Sequence, residues 1–173
     1  IYGVTDTIAD YAGRPDYYEQ VGAVFDWDNA HRFIEAEHWI QQIDGYTMGT
    51  NNYRIYFEPE DNKAHFLVTD LDYAFWWENQ GPNWWSPSGE LVETCWADEA
   101  CLAAQTAVAQ ETLDHLATLD MVSWLDAWTS LITEYAEADP RNSCRPGAIE
   151  SEMAGMYDWV ENRDAEMRAW WGL

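Results

Sequence analysis

The stretch from Asp44 to Asp72 constrains this 173-residue chain more than any other, because it holds two short strands with one simple way to meet. It reads Asp44-Gly45-Tyr46-Thr47-Met48-Gly49-Thr50-Asn51-Asn52, then Tyr53-Arg54-Ile55-Tyr56, then a turn-rich linker and Phe66-Leu67-Val68-Thr69-Asp70-Leu71-Asp72. Strands are expected over about 52–57 and 64–69, each alternating in character. Pro59 and Asp61-Asn62 supply turn chemistry between them. Antiparallel strands joined by a tight turn bring their outer ends together, so the Asp44 loop should face Asp70 and Asp72. Carboxylates and a carboxamide converging at the mouth of a hairpin form a hard-oxygen site, suited to Mg²⁺ or Mn²⁺ and a phosphate-bearing ligand.

These elements, in this order, resemble the CotH kinase family, the atypical protein kinases associated with spore coat protein H. The family's D-G-Y loop corresponds to Asp44-Gly45-Tyr46 and its N-Y-x-[IL]-Y strand to Asn52-Tyr53-Arg54-Ile55-Tyr56. Its hairpin turn corresponds to Glu58-Pro59-Glu60-Asp61-Asn62-Lys63, and its closing D-x-D before an aromatic to Asp70-Leu71-Asp72-Tyr73-Ala74-Phe75. Upstream, Phe25-Asp26-Trp27-Asp28-Asn29 through Phe33-Ile34 to Trp39-Ile40 is similar to the family's helix leading into the loop. The likeness is closest from Phe25 to Phe75 and looser after Cys95, and Arg163 fits the family's ending. It implies an α+β chain, mostly helical around a central β-hairpin, forming the C-terminal lobe of a protein-kinase-like fold. It further implies transfer of the ATP γ-phosphate to Ser or Thr hydroxyls with Mg²⁺ or Mn²⁺.

In phosphoryl transfer the protein mainly positions groups and stabilises charge, so a few hard ligands at fixed geometry suffice. By that chemistry and by the resemblance, Asp44 is the catalytic residue that orients or deprotonates the attacking hydroxyl. Asn52 is expected as a metal ligand, with Asn51 the next candidate on the nucleotide side. Asp72 is expected as the main metal carboxylate, since similar chains often keep only the second acid of the pair, and Asp70 as an auxiliary ligand. Val68-Thr69 stands where many relatives have Pro-Trp, which alters the packing behind the metal acid. Without the resemblance, an Asp before Gly and an Asn pair before a strand mark ordinary turns.

One domain over residues 1–173 is expected, long enough to bury a core. Lys63 is the sole lysine and falls in the hairpin turn, a poor place from which to hold nucleotide phosphates. The chain is therefore expected to be the C-terminal lobe alone, inactive by itself, with the phosphate-gripping lobe supplied by the remainder of the kinase domain or another chain. Its start at Ile1-Tyr2-Gly3, without Met or a leader pattern, reads as a processed or truncated piece.

Thirty-two acids against eight bases give a net charge of −24, which makes nucleic acid and anionic membranes poor partners. Cations and basic Ser/Thr-rich protein substrates fit that charge, as does a solubilising surface for an extracellular or high-salt setting. No apolar run is long enough for membrane insertion. Cys95 and Cys101 are expected to pair, which suits an exported protein, and the resemblance implies an extracellular, cell-surface or spore- or envelope-associated location; reduced thiols are the alternative. Cys144 is then free or paired elsewhere. A zinc site is unsupported by spacing. Calcium is a further candidate cation at Asp26/Asp28 or Glu58/Glu60/Asp61, though neither has the spacing of a calcium loop.

Residues 1–14 read as an extended or irregular entry, and Pro15 as a first helical turn leading to Tyr17, Tyr18 and Val21. Asp26 or Asp28 caps a helix that carries Phe33, Ile34, Ile40 and Ile43 and stops at Gly45. Residues 76–93 read as a long loop, whose Trp76, Trp77, Trp84 and Trp85 would either shape a peptide or sugar surface or pack under the loop. Helices follow from Asp98 to about Thr118, after Asp120, and from about Ala148 to Trp170. In the second of these Met121, Trp124, Leu125, Trp128, Leu131, Ile132 and Tyr135 recur at spacings of three and four, and are expected in the core. Of the four histidines, His38 either lines the cleft or sits satisfied on the helix surface. A rival reading of the whole chain is a non-catalytic, acidic cell-surface module that kept a kinase-like scaffold.

Overall fold

Val4 and Ile8 stand one helical turn apart, and both are buried in α1 (Tyr2–Tyr11), which packs on α2 (Tyr17–Gly22) and α5 (Glu90–Ala97). The expectation of an irregular entry is thus corrected. Gly3 lies inside the helix, and Gly13, at φ 75°, turns the chain just beyond it. The computed structural model describes residues 2–75, 86–142 and 147–173; Trp76, Trp77, Trp84, Trp85 and Cys144 lie outside the described residues.

Asp26 caps α3 (Trp27–Trp39), its side chain accepting from the Asn29 amide at 2.7 Å. The strands are β1 (Tyr53–Phe57) and β2 (Ala64–Val68), antiparallel with Tyr53 opposite Val68, Ile55 opposite Phe66 and Phe57 opposite Ala64. Asp61 shapes the turn by accepting from the Lys63 amide at 2.8 Å, and Asn62 takes φ 59°.

One edge of the ribbon is fastened. Phe25 bridges to Ala64, and the Asn29 carboxamide engages both backbone groups of Phe66, accepting from N at 2.6 Å and donating to O at 3.2 Å. Phe66 stacks on Phe33 at 4.4 Å between ring centroids. The ribbon is thereby clamped to α3, and every residue of β1 is left exposed.

Helix α5 begins at Glu90, so the loop expected to run to Glu93 gives way to helix after Gly89. Cys95 and Cys101 form the expected disulfide, with Cα atoms 5.1 Å apart, joining α5 to α6 (Glu99–Leu116). Asp98 caps α6 through the Cys101 amide. Gln105 of α6 is buried against α3, accepting from His31 Nδ1 at 2.7 Å and donating to His31 O at 3.1 Å.

α7 (Met121–Ala138), capped by Asp120, lies mainly on α8 (Ala148–Trp171). Here the expected core position is overturned: no residue of α7 is buried. The half-buried residues include Leu125, Thr129 and Thr133, spaced by four, and this flank faces α8 through Thr129 near Met153 and a Tyr157–Asp126 hydrogen bond. Trp124, Trp128 and Tyr135 are 56%, 62% and 75% exposed. The chain is mostly helical with one two-stranded sheet, an α+β architecture consistent with a kinase-like lobe. No described helix is long and apolar enough to cross a membrane.

Candidate functional site

The loop carrying Asp44 exists because α3 ends early. The sequence places the helix end at Gly45, but it closes at Trp39, with Ile40 as cap and Gln41 at φ 49°. Gln42 N bonds to Glu37 O and Gln41 N to His38 O, the paired bonds that close a helix through a left-handed residue. The physical reason for the early stop sits at the other end of the chain. Arg163 of α8 donates from Nε to Trp39 O at 2.8 Å and from a guanidinium nitrogen to His38 O at 2.5 Å. Those carbonyls would otherwise serve the next turn of helix.

Residues 40–52 then fold as a tight, pinned loop. A short helix α4 (Tyr46–Gly49) presents its free amides to the buried carboxylate of Glu37, which accepts from Tyr46 N at 3.0 Å, Thr47 N at 2.8 Å and the Thr47 hydroxyl. Burial pushes the Glu37 pKa up, and the bonds from Thr47 and Tyr46 partly offset that. Gly45 is required by this contact, since a Cβ there would lie 2.3 Å from Glu37 Oε1. Downstream, Thr50 and Asn52 take φ 51° and 36°, left-handed turns that swing both asparagines back toward Asp44.

The Asp44 carboxylate accepts from Asn51 Nδ2 on one oxygen at 3.1 Å and from Asn52 Nδ2 on the other at 2.7 Å. With its NH₂ group on Asp44, Asn52 keeps its amide oxygen as the acceptor available to a cation. Across the hairpin mouth Asp70 takes φ 54°, and its carbonyl accepts from Gln42 Nε2 at 2.6 Å. The next turn is tied down by Phe75 N bonding to Ile40 O at 2.7 Å. The Asp70 carboxyl is held above its ordinary range, first by a hydrogen bond shared with Asp72, then by the charge of Asp72, and also by that of Asp44. The fold therefore places Asp44, Asn51 and Asn52 in direct contact and joins Asp70 to Asp72. The charge of Asp44 reaches the Asp70 carboxyl and adds to its upward shift. Asn51, Asp70 and Asp72 are exposed, while Asp44 and Asn52 are half-buried, so the cluster opens to solvent. Beside it an apolar recess of about 220 Å³ is lined by Phe33, Ala36, Ile40, Val68, Thr69 and Leu71, where the Val68-Thr69 departure falls.

His38 does not line the cleft. It is fully buried, 3.9 Å from Glu35 Oε2 and edge-on to the Trp170 ring, and burial drives its pKa well down. Glu35 is also fully buried; one oxygen accepts from Trp171 Nε1 at 3.1 Å, and burial raises its pKa to about 8. Glu35, Glu37 and Gln42 escape a reading of the sequence by apolar spacing. The available signal was acids at Glu35 and Glu37 interrupting the buried face between Ile34 and Trp39. Among the acids considered for calcium, Asp26 caps α3, Asp28 pairs with Arg32, and Asp61 accepts from Lys63 N and lies within hydrogen-bond distance of His65.

A family model described as CotH kinase protein matches residues 3–167. Among curated proteins none matches the chain closely enough to count as a relative.

Proposed function

The chain belongs to the CotH kinase family and is a kinase-like protein, and we propose that its Asp44 cluster is the catalytic and metal-binding part of a phosphotransfer site acting on protein Ser and Thr hydroxyls. The observation that carries this reading is the double clamp on Asp44. Both carboxylate oxygens are fixed by adjacent asparagine amides, beside a second pair of acids in which the neighbouring Asp72 raises the Asp70 carboxyl. Three carboxylates and an amide oxygen form a hard donor set with excess negative charge, which fits Mg²⁺ or Mn²⁺ carrying ATP.

In this reading Asp44 orients the attacking hydroxyl and accepts its proton, and the Asn51 and Asn52 amides hold its carboxylate in place. The Asn52 oxygen and Asp72 would hold the cation, with Asp70 assisting. A bound cation would supply charge neutralisation for the nucleotide phosphates. Lys63 is tied into the hairpin turn through its backbone, away from the Asp44 end of the ribbon. The phosphates would then be gripped by another part of the kinase domain, or by another chain. Basic Ser/Thr-rich segments suit the surface charge.

The test uses the complete gene product with ATP, Mg²⁺ or Mn²⁺, and a Lys/Arg-rich Ser peptide, following phosphate incorporation. Asp44→Asn and Asp72→Ala should each lower the rate by roughly a hundredfold or more. Incorporation unchanged in Asp72→Ala would remove that residue from the site. A complete protein that transfers no phosphate under either metal would favour the second reading, an acidic binding module of the cell surface. That reading draws its support from the apolar face of α7 exposed on an otherwise acidic molecule.

A further inference from the structure

The helix α7 sits with its apolar side outward. Trp124, Trp128, Leu131, Ile132 and Tyr135 are between 48% and 75% exposed and form one continuous stripe. The flank against α8 is mixed and narrower, with Met121, Leu125, Thr129 and Thr133 half-buried and joined to α8 through Thr129 near Met153 and the Tyr157–Asp126 bond. A stripe of large side chains, two of them tryptophan, is the composition of an interaction hot spot rather than of a solvated face. From this we infer that α7 is a docking surface, separate from the Asp44 cluster, for a basic amphipathic helix of a partner protein.

The charge around the stripe selects that occupant. Within α7 the ionisable side chains, Tyr135 aside, are Asp126, Glu134 and Glu137, and none is basic. Arg141, just past its end, is already paired with Asp139. The adjoining α8 presents Glu152 and Glu161 to solvent, whereas its Arg163 is buried and its Arg168 pairs with Asp114 and Asp164. A second copy would set these acids against themselves, between molecules that each carry a charge of −24. A helix with an apolar seam flanked by Lys or Arg meets both the stripe and its rim.

The probe is a synthetic amphipathic Leu/Lys helix, compared by calorimetry with a scrambled peptide of identical composition and with a Leu/Glu helix. The amphipathic Leu/Lys peptide should bind, and the other two should bind at least about tenfold more weakly. Trp128→Ser with Leu131→Ser, at positions already in solvent, should cost at least about tenfold in affinity while leaving the circular dichroism spectrum unchanged. Equal binding of the scrambled peptide, or undiminished binding by the double variant, would reduce the effect to bulk charge and overturn the inference. So would a homodimer that the same double variant dissociates, or no binding of the Leu/Lys helix.

Discussion

Two carboxylates in this molecule are held in opposite ways, and the buried one makes stability depend on pH. Asp44 stays at the surface, its negative charge met by two amide donors. Glu35 is sealed inside, with one donor from Trp171 and a pKa raised to about 8. Between about 4.5, its ordinary value, and about 8 the native protein keeps a proton that the unfolded chain has released. Stability from this group is therefore full below that window and is lost as pH rises through it, by on the order of 1 kcal/mol per pH unit. Glu35→Gln mimics the neutral form and keeps an acceptor for Trp171. Thermal melts should show the variant matching the parent near pH 5 and exceeding it near pH 8. A variant that is less stable at both pH values would mean that Glu35 serves the fold as an anion beside Arg163.

At the level of elements, the end of α3 matters most, because it decides where the Asp44 loop begins. Arg163 stands 124 residues from Trp39, yet donates to the last carbonyls of that helix and lies 4.4 Å over the Trp159 ring. Burial lowers its pKa to about 10, so it remains a cation at neutral pH. Arg163→Met keeps much of the side chain's bulk but strands the His38 and Trp39 carbonyls in the interior. Urea unfolding should show a loss of about 3 kcal/mol; a loss below about 1 kcal/mol would mean that water replaces the guanidinium without penalty. The same element explains why periodicity misjudged the helix boundary. Ile40 and Ile43 continue the apolar spacing of α3, and Gln41 is no helix-ending glycine, so nothing local announces the stop. In α7 periodicity was right about the helix and wrong about its neighbour, since an apolar stripe specifies a face and not what covers it.

Across the whole molecule, charge outweighs every local effect on the surface. Among the described residues Arg32, Arg141, Arg163 and Arg168 are engaged with acids, which leaves most of the 32 carboxylates to repel one another. Added sodium chloride, up to about 0.5 M, should raise the melting temperature by screening that repulsion. A fall with salt would mean that the surface ion pairs outweigh it.

The sequence by itself determined what depends on neighbours along the chain. A cap at Asp26 or Asp28, the cap at Asp120, the hairpin with its turn, the pairing of Cys95 with Cys101, and the order of motifs that marks the family were all readable there. Tertiary structure alone decided that α3 stops at Trp39, that His38 faces inward, that Glu37 locks the short α4, and that α7 turns its tryptophans outward. Capping and turn formation are settled within a few residues by local hydrogen bonds. Helix termination by a distant guanidinium is settled by a partner more than a hundred residues away, and the covered face of α7 by a separate helix, α8.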